Sequence, residues 1–433
     1  SLTFQIHSLS NTYTNTDSSI KAGDLILTEQ PFAFVLSSKE QGSRCDNCLE
    51  KVKVLKCSGC QYVHYCGRSC QKDAWVDHKW ECANFKRVAP KVLPDGARML
   101  AKIINRLYRG DGHSFRSFYS GTSFRMWKDL MSHYSDLKSD KKRMDHFTSL
   151  CVVLYEFLKD ISLPNTVELM GLYGRMVINS FMILDIDMNS IGTGIYLASS
   201  ILDHSCEPNA VATFDGKTIN IRVIKDMPCL DWNQMRISYI DLMKTPYDRQ
   251  TELLQNYYFL CQCDRCMGKC FRYSDAIHCR ECGTKYTEKQ VDAFVKTMEF
   301  THVHLQNMER ASVAYVDVCQ YCLERQEGVL HPLNVMHAQT LDHAFDALIQ
   351  VQLWERACGY CYLLPRFYYG DRNPLLGLLY LKYGKILLYK MENMKALVQL
   401  KCAEKIIKMT HGDRHPLYKE QLLPLLHQAI TES

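Results

Sequence analysis

Cys45-Asp-Asn-Cys48, Cys57-Ser-Gly-Cys60, Cys66-Gly-Arg-Ser-Cys70 and His78-Lys-Trp-Glu-Cys82 follow one another within residues 45–82. Seven cysteines and one histidine at two- and three-residue intervals have the spacing of metal ligands. Zinc is held tetrahedrally by four soft or borderline donors, so eight such ligands make two closed structural sites. A stretch this short and polar has no core of its own. Metal binding must supply its folding free energy, on the order of 10–16 kcal/mol per site in zinc-finger peptides. The expected arrangement is interleaved, with ligand pairs one and three in one site and pairs two and four in the other. Cys66 and Cys70, like His78 and Cys82, stand four apart, which predicts that each pair shares one helix face. Unliganded buried cysteines are the bland alternative, and the density of the cluster argues against it.

A second group follows at Cys261-x-Cys263-x2-Cys266. Three thiols close three corners of a tetrahedron and need a fourth ligand from elsewhere. The candidate is Cys206, in the loop Asp203-His204-Ser205-Cys206-Glu207-Pro208-Asn209. Cys270, Cys279 and Cys282, with His278, are candidates for a further knuckle. Cys319-x2-Cys322 and Cys358-x2-Cys361 lie in helical, aromatic-rich context and read as buried helix cysteines rather than ligands.

With 433 residues the chain exceeds one ordinary core, and two to four domains are expected. Its composition, 47% hydrophobic and 23% charged, is that of a globular protein. The 21 cysteines raise the possibility of a secreted disulfide scaffold. No charged-then-apolar leader pattern stands at the visible start, and no apolar run reaches the ~20 residues of a membrane span. A reducing compartment, cytoplasm and nucleus, is the expectation, with the cysteines serving metals. The net charge of +5 is spread out. Its local clusters (Lys51 and Lys53, Lys138 to Arg143, Lys401 to Lys408) read as solvated faces, mostly helical, rather than a nucleic-acid patch.

Residues 1–40 read as short strands, with Leu25 to Leu27 and Phe32 to Leu36 following turn signals. From Pro94 to about Leu172 the pattern is helical, carried by Arg98 to Leu107 and His146 to Leu158. Strand character returns at Gly194 to Ala198, Ala210 to Phe214, Thr218 to Ile224 and Met235 to Tyr239. Beyond about residue 285 the chain is helical in units of roughly 30–40 residues, which predicts a tetratricopeptide-like solenoid with degenerate repeats. The two sets of strands are expected to form one β domain split by insertions.

These pieces resemble a known family. The run Cys70-Gln-Lys-Asp-Ala-Trp75-Val-Asp-His78-Lys-Trp-Glu-Cys82 resembles a MYND zinc finger. Ile201 to Asn209, Ile237-Ser-Tyr239-Ile-Asp241 and Tyr257-Tyr-Phe259-Leu-Cys261-Gln-Cys263-Asp-Arg-Cys266 resemble the core motifs and cysteine-rich tail of SET-domain lysine methyltransferases. Their order, together with Thr410-His-Gly-Asp-Arg-His-Pro416, is similar to that of the SET-and-MYND-domain (SMYD) family. The fold class this implies is α+β and multidomain. It has a split β-rich SET domain (1–44 and 176–245), an inserted MYND zinc finger (45–82) and a helical insert (83–175). A cysteine-rich post-SET segment (246–284) and an all-α tetratricopeptide-like C-terminal domain (285–433) complete it.

The resemblance implies methyl transfer from S-adenosyl-L-methionine to a protein lysine, histone or non-histone, with three zinc ions, two in the finger and one in the post-SET segment. By motif match Tyr239 is the tyrosine at the transfer centre. The match assigns Asn179, Asp203, His204, Tyr257, Phe259 and His133 to the cofactor. The implied zinc ligands are Cys45, Cys48, Cys57, Cys60, Cys66, Cys70, His78, Cys82, Cys206, Cys261, Cys263 and Cys266. Proline-containing peptides are the implied partners of the finger, with Trp75 as an aromatic surface, and a monomer is expected.

Three departures touch the cofactor half. The family's Gly-x-Gly turn falls at Ser10-Asn11-Thr12-Tyr13, which has no glycine; Asp203 stands where an asparagine is usual; and Asp231-Trp-Asn-Gln234 replaces a Gly-Glu-Glu segment. Tyrosine takes a left-handed backbone only at a cost. Two hypotheses follow: an active lysine methyltransferase with an altered cofactor pocket, or a scaffold that keeps the zinc-pinned fold and binds partners through the finger and the C-terminal helices.

Overall fold

A computed structural model of the protein describes residues 19–159, 162–267, 287–306, 312–360 and 364–433. The chain divides into two compact units, residues 1–203 with 212–235, and residues 204–211 with 236–433. The Ser10–Tyr13 turn and the Cys270, Cys279, Cys282 group with His278 lie outside the described residues, as does the Cys358/Cys361 pair at side-chain level.

In the first unit, strand Leu25–Glu29 runs antiparallel to Thr218–Val223, with Leu27 opposite Ile221 and Glu29 opposite Ile219. Strand Ala210–Asp215 completes that sheet. Strand Ala33–Leu36 runs antiparallel to Ser190–Ile195, whose other edge carries Ser180–Leu184. Strands from either side of the metal and helical segments therefore pair, joining the two half-sheets as the pattern predicts. The buried Glu29 carboxylate ties the join together. It accepts from Ser117 Oγ at 2.5 Å, from the Ala198 and Ser199 amides at 2.9 and 2.8 Å, and from Ser199 Oγ at 2.7 Å.

Two strand expectations are corrected. The strand read at Gly194 to Ala198 spans Ser190–Ile195, and Tyr196 to Ala198 are buried turn residues. Gly192 is interior to it, because a Cβ there would lie 2.5 Å from the Val35 carbonyl oxygen. Gly192 is thus a point of close backbone approach. Of Met235 to Tyr239 only Arg236–Ile237 is a strand.

Three long helices of the insert are Asp95–Tyr108, Lys141–Phe157 and Thr166–Asn179. Asp140 caps the second and Asn165 the third, each side chain accepting the backbone N–H three residues on. Asp95–Tyr108 buries Leu100, Ile103 and Ile104 at three- and four-residue steps, the amphipathic spacing read from the sequence.

Among its described residues the second unit is mostly helical, and the two-residue strand ending at His204 pairs with Arg236–Ile237. Helix Pro246–Tyr257 starts on a Thr245 cap with proline at its first turn and stops at Tyr258, which is left-handed at φ 60°. Beyond it, Val313–Gln326 pairs with Val335–Gln350, and Pro374–Tyr389 with Asn393–Thr410. Cys319 and Cys322 are fully buried in the first of these helices, as expected of core cysteines. Among the described residues no helix is long and apolar enough to cross a membrane.

Candidate functional site

The first unit gathers its eight finger ligands into two tetrads, Cys45/Cys48/Cys66/Cys70 and Cys57/Cys60/His78/Cys82, each with ligand atoms within 4.8 Å of one another. The interleaving is the one the spacing predicts. Cys48 Sγ lies 3.8 Å from Cys66 Sγ, and Cys57 Sγ 3.8 Å from Cys82 Sγ. A tetrahedron with Zn–S bonds of about 2.3 Å has edges of about 3.8 Å, so these donors fit zinc without rearrangement. One detail differs. Helix Arg68–Val88 carries Cys70, His78 and Cys82 but starts after Cys66, so Cys66 joins its tetrad from the preceding turn. Gly59 sits where a Cβ would lie 2.8 Å from Cys82 Sγ, which explains the glycine in the Cys57–Cys60 knuckle.

Behind the second tetrad lies a buried charge network. His78 turns Nε2 toward Cys60 Sγ at 3.6 Å and Nδ1 toward Glu81 Oε2 at 3.3 Å. Arg98 on helix Asp95–Tyr108 donates to Glu81 Oε1 at 2.7 Å and to Asp46 Oδ1 at 2.9 Å. Burial opposes ionisation of Glu81, but the Arg98 guanidinium overrides it and holds the carboxyl well below the usual range. A carboxylate on the distal nitrogen fixes the tautomer that leaves Nε2 for a metal.

The second unit gathers Cys206, Cys261, Cys263 and Cys266. Cys206 Sγ is 4.0 Å from Cys261 Sγ and 3.5 Å from Cys266 Sγ. Four thiols this close resist ionising together. Burial and its neighbours push Cys261 up to about 11, while hydrogen bonds from Cys206 and Cys266 pull Cys263 far down. A divalent cation resolves that conflict, which is the fit expected of a zinc site. Two buried arginines back the thiols. Arg249 Nη2 is 3.8 Å from Cys266 Sγ and donates to the Arg265 carbonyl at 3.1 Å; Arg265 Nη1 donates to the Cys206 carbonyl at 3.0 Å and Nη2 to the Tyr368 carbonyl. Neither arginine was singled out in the sequence. Arg265 carried a signal all the same, since it is a charged residue between two ligands.

Against this centre stand four rings. Tyr239 lies 5.0 Å from Tyr257, 6.5 Å from Phe259 edge-to-face, and 5.4 Å from His204, centroid to centroid; His204 lies 5.9 Å from Phe259. The left-handed Tyr258 ends the helix between Tyr257 and Phe259, so both rings reach the same cluster as Cys206 and Cys261. Tyr369 joins from helix Leu364–Tyr369, its hydroxyl donating to Asp241 Oδ1 at 3.0 Å, and nothing local in the sequence announces it. His204 has both ring nitrogens engaged: Nδ1 is 3.0 Å from the Tyr239 amide nitrogen and Nε2 is 3.2 Å from Cys206 Sγ.

The remaining candidates lie in the first unit. Asn179 ends helix Thr166–Asn179 and donates through Nδ2 to the Met131 and Arg175 carbonyls, both at 2.8 Å. His133, left-handed at φ 47°, heads the short helix Tyr134–Ser139 and meets Asp136 Oδ2 at 3.0 Å. Gly174 lets that loop approach, since a Cβ there would lie 2.3 Å from the Ser132 carbonyl oxygen. Asn179 and the segment before His133 are thus brought together. Asp203 is exposed at the end of this unit.

Paired cysteine tetrads on a short helix-backed knuckle define the class, and the MYND finger family profile matches residues 45–82. Similarity extends well beyond the finger. The chain is 28% identical over 415 residues to histone-lysine N-methyltransferase SMYD3 of Mus musculus, covering 94% of this chain and 92% of that protein. It is 29% identical over 415 residues to the Homo sapiens protein of the same name, with the same coverage. With N-lysine methyltransferase SMYD2 of Gallus gallus it shares 26% identity over 409 residues, 92% of this chain and 91% of that one. Over more than nine-tenths of its length the chain is similar to proteins of the SET-and-MYND-domain family.

Proposed function

We propose that this protein is a protein-lysine N-methyltransferase that uses S-adenosyl-L-methionine and acts on histone or other protein lysines. The observation that carries the reading is the ring cluster of Tyr239, Tyr257 and Phe259 built on the Cys206/Cys261/Cys263/Cys266 centre, in a chain similar over more than nine-tenths of its length to named lysine methyltransferases. We read the paired sheets as a split SET domain and the C-terminal helix pairs as tetratricopeptide-like. The three tetrads are then three zinc sites.

Bound S-adenosyl-L-methionine supplies a methyl group activated by its sulfonium. In the second unit the residues that would hold it are His204, Tyr257 and Phe259; in the first unit Asn179, Asp203 and His133 are those the family match assigns to it. Aromatic faces suit such a cation and its methyl. The substrate lysine must arrive neutral although its ordinary pKa is ~10.4. The half-buried rings of Tyr239, Tyr257 and Phe259 would disfavour the ammonium and displace water from around it. The Tyr239 hydroxyl would orient the amine nitrogen, so the protein's contribution is alignment and desolvation.

The scaffold reading is not favoured, because similarity to named methyltransferases runs through the whole chain. Trp75, 43% exposed beside His78, is the surface on which the finger would take a proline-containing peptide. A monomer working in cytoplasm and nucleus completes the proposal. Calorimetric titration of S-adenosyl-L-methionine tests it, and no heat at millimolar cofactor would sink it. With labelled cofactor and a histone and peptide array, Tyr239→Phe should lower kcat by at least about 100-fold while the fold stays intact.

A further inference from the structure

A neutral imidazole has one N–H and one bare nitrogen, and its surroundings decide which is which. At His204 the choice is forced. The group facing Nδ1 is the Tyr239 backbone N–H, which only donates, so Nδ1 is the acceptor at 3.0 Å. Nε2 therefore carries the hydrogen, and it points at Cys206 Sγ, 3.2 Å away. Cys206 is fully buried and belongs to the second unit's cysteine tetrad. The strand ending at His204 is itself clamped, since the Ser205 amide donates to the Ile237 carbonyl at 3.0 Å. One ring thus spans from a ligand thiolate to the backbone of the residue assigned to the transfer centre.

We infer that His204 is a positioning residue that couples metal occupancy of the Cys206/Cys261/Cys263/Cys266 site to the placement of Tyr239. The inference rests on the methyltransferase reading for its second half only. An N–H donor to a coordinating sulfur steadies the ligand, and outer partners of this kind change metal affinity by about 10–100-fold. Its other face fixes where the Tyr239 strand end sits. Loss of the metal would let the Cys206 loop relax and carry the His204 acceptor away from Tyr239.

Two substitutions separate the halves. Asparagine places its oxygen where Nδ1 stands but has nothing at Nε2; glutamine places its amide nitrogen where Nε2 stands but has nothing at Nδ1. In full-length protein, chelator-driven zinc release is followed alongside kcat and the cofactor KM, with Cys261→Ser marking which zinc equivalent belongs to this site. His204→Asn should release that equivalent about 10-fold faster, and its kcat should recover with added zinc. His204→Gln should hold the zinc nearly as the unsubstituted protein does, yet lose about 10-fold in kcat beyond any change in the cofactor KM. Wild-type zinc release in both variants, or a loss confined to the cofactor KM, would leave His204 a cofactor contact only and overturn the inference. Stepwise chelation of the unsubstituted chain checks it without any substitution: full methyl transfer after that equivalent has gone also overturns it. Faster zinc release by His204→Asn in a protein that transfers no methyl group would sustain the metal half and fail only the enzymatic reading.

Discussion

The second finger tetrad and the Cys206 tetrad are built of similar ligands but backed by opposite chemistry. Behind Cys57/Cys60/His78/Cys82 stands a carboxylate, Glu81, which takes the histidine's outer nitrogen and is in turn held by Arg98. Behind Cys206/Cys261/Cys263/Cys266 stand N–H donors, His204 toward Cys206 and Arg249 toward Cys266, with Arg265 on the Cys206 backbone. Ligand charge accounts for the difference. Zinc with three thiolates and a neutral imidazole carries one net negative charge; with four thiolates it carries two. The imidazole site gains from an anion that orients its ring, whereas the all-thiolate site gains from cations and donors that offset its charge. The finger is accordingly a clasp backed by buried charges, and the second site is wired to neighbouring rings and arginines.

The strongest challenge to this contrast is to remove metal from the finger. Cys60→Ser, or zinc chelation, should cost the finger its fold, a loss on the order of 10 kcal/mol. Hydrogen exchange across residues 55–85 reads it directly, and retained protection there would mean that the segment folds on packing alone. Next comes Arg98→Met, which leaves Glu81 and Asp46 buried without their cation. Denaturant unfolding should show about 3–5 kcal/mol of destabilisation. A value below 1 kcal/mol would remove the network from the argument. Smaller again is Arg265→Gln, which should speed zinc release from the Cys206 site about 10-fold and leave both finger equivalents in place. Equal release from all three sites would erase the distinction between the two kinds of support.

How much of this could be read from the residues depended on the range of the interaction. Both finger tetrads and their interleaving followed from local spacing, because ligands three or four apart have few ways to share an ion. The gathering of Cys206 with Cys261, Cys263 and Cys266 was also legible, since three thiols require a fourth. Motif resemblance brought Tyr239, Tyr257 and Phe259 into view, and the structure places them in one cluster. What stayed hidden was support from far along the chain. Arg98 reaches Asp46 and Glu81 from a helix whose apolar face was all the periodicity displayed. Tyr369 meets Asp241 only because helix packing brings position 369 there. The misplaced strand at 194–198 has a similar cause: Tyr196, Leu197 and Ala198 are apolar because the turn is buried, and burial without alternation does not distinguish strand from turn.

The smallest expected effect supplies the control for Arg98. Glu404 on helix Asn393–Thr410 meets Lys401 and Lys408, each at 2.9 Å, and the Tyr418 hydroxyl at 3.1 Å. Partial burial opposes its ionisation, but the hydrogen bonds from the lysines and Tyr418 win and hold the carboxyl down at about 2. The sign follows from the unfolded value of 4.5. A carboxyl depressed on folding stabilises fully above that value and loses its contribution as pH falls toward 2. Its lysine partners are about half exposed (55% and 46%), so water screens the pairs and the net contribution is about 0.5–1 kcal/mol. Glu404→Gln should therefore lower stability by that amount at pH 7 in denaturant melts, with the gap to the unsubstituted protein narrowing from pH 5 to pH 3. A loss as large as that of Arg98→Met would show that burial is not what distinguishes the network behind the finger.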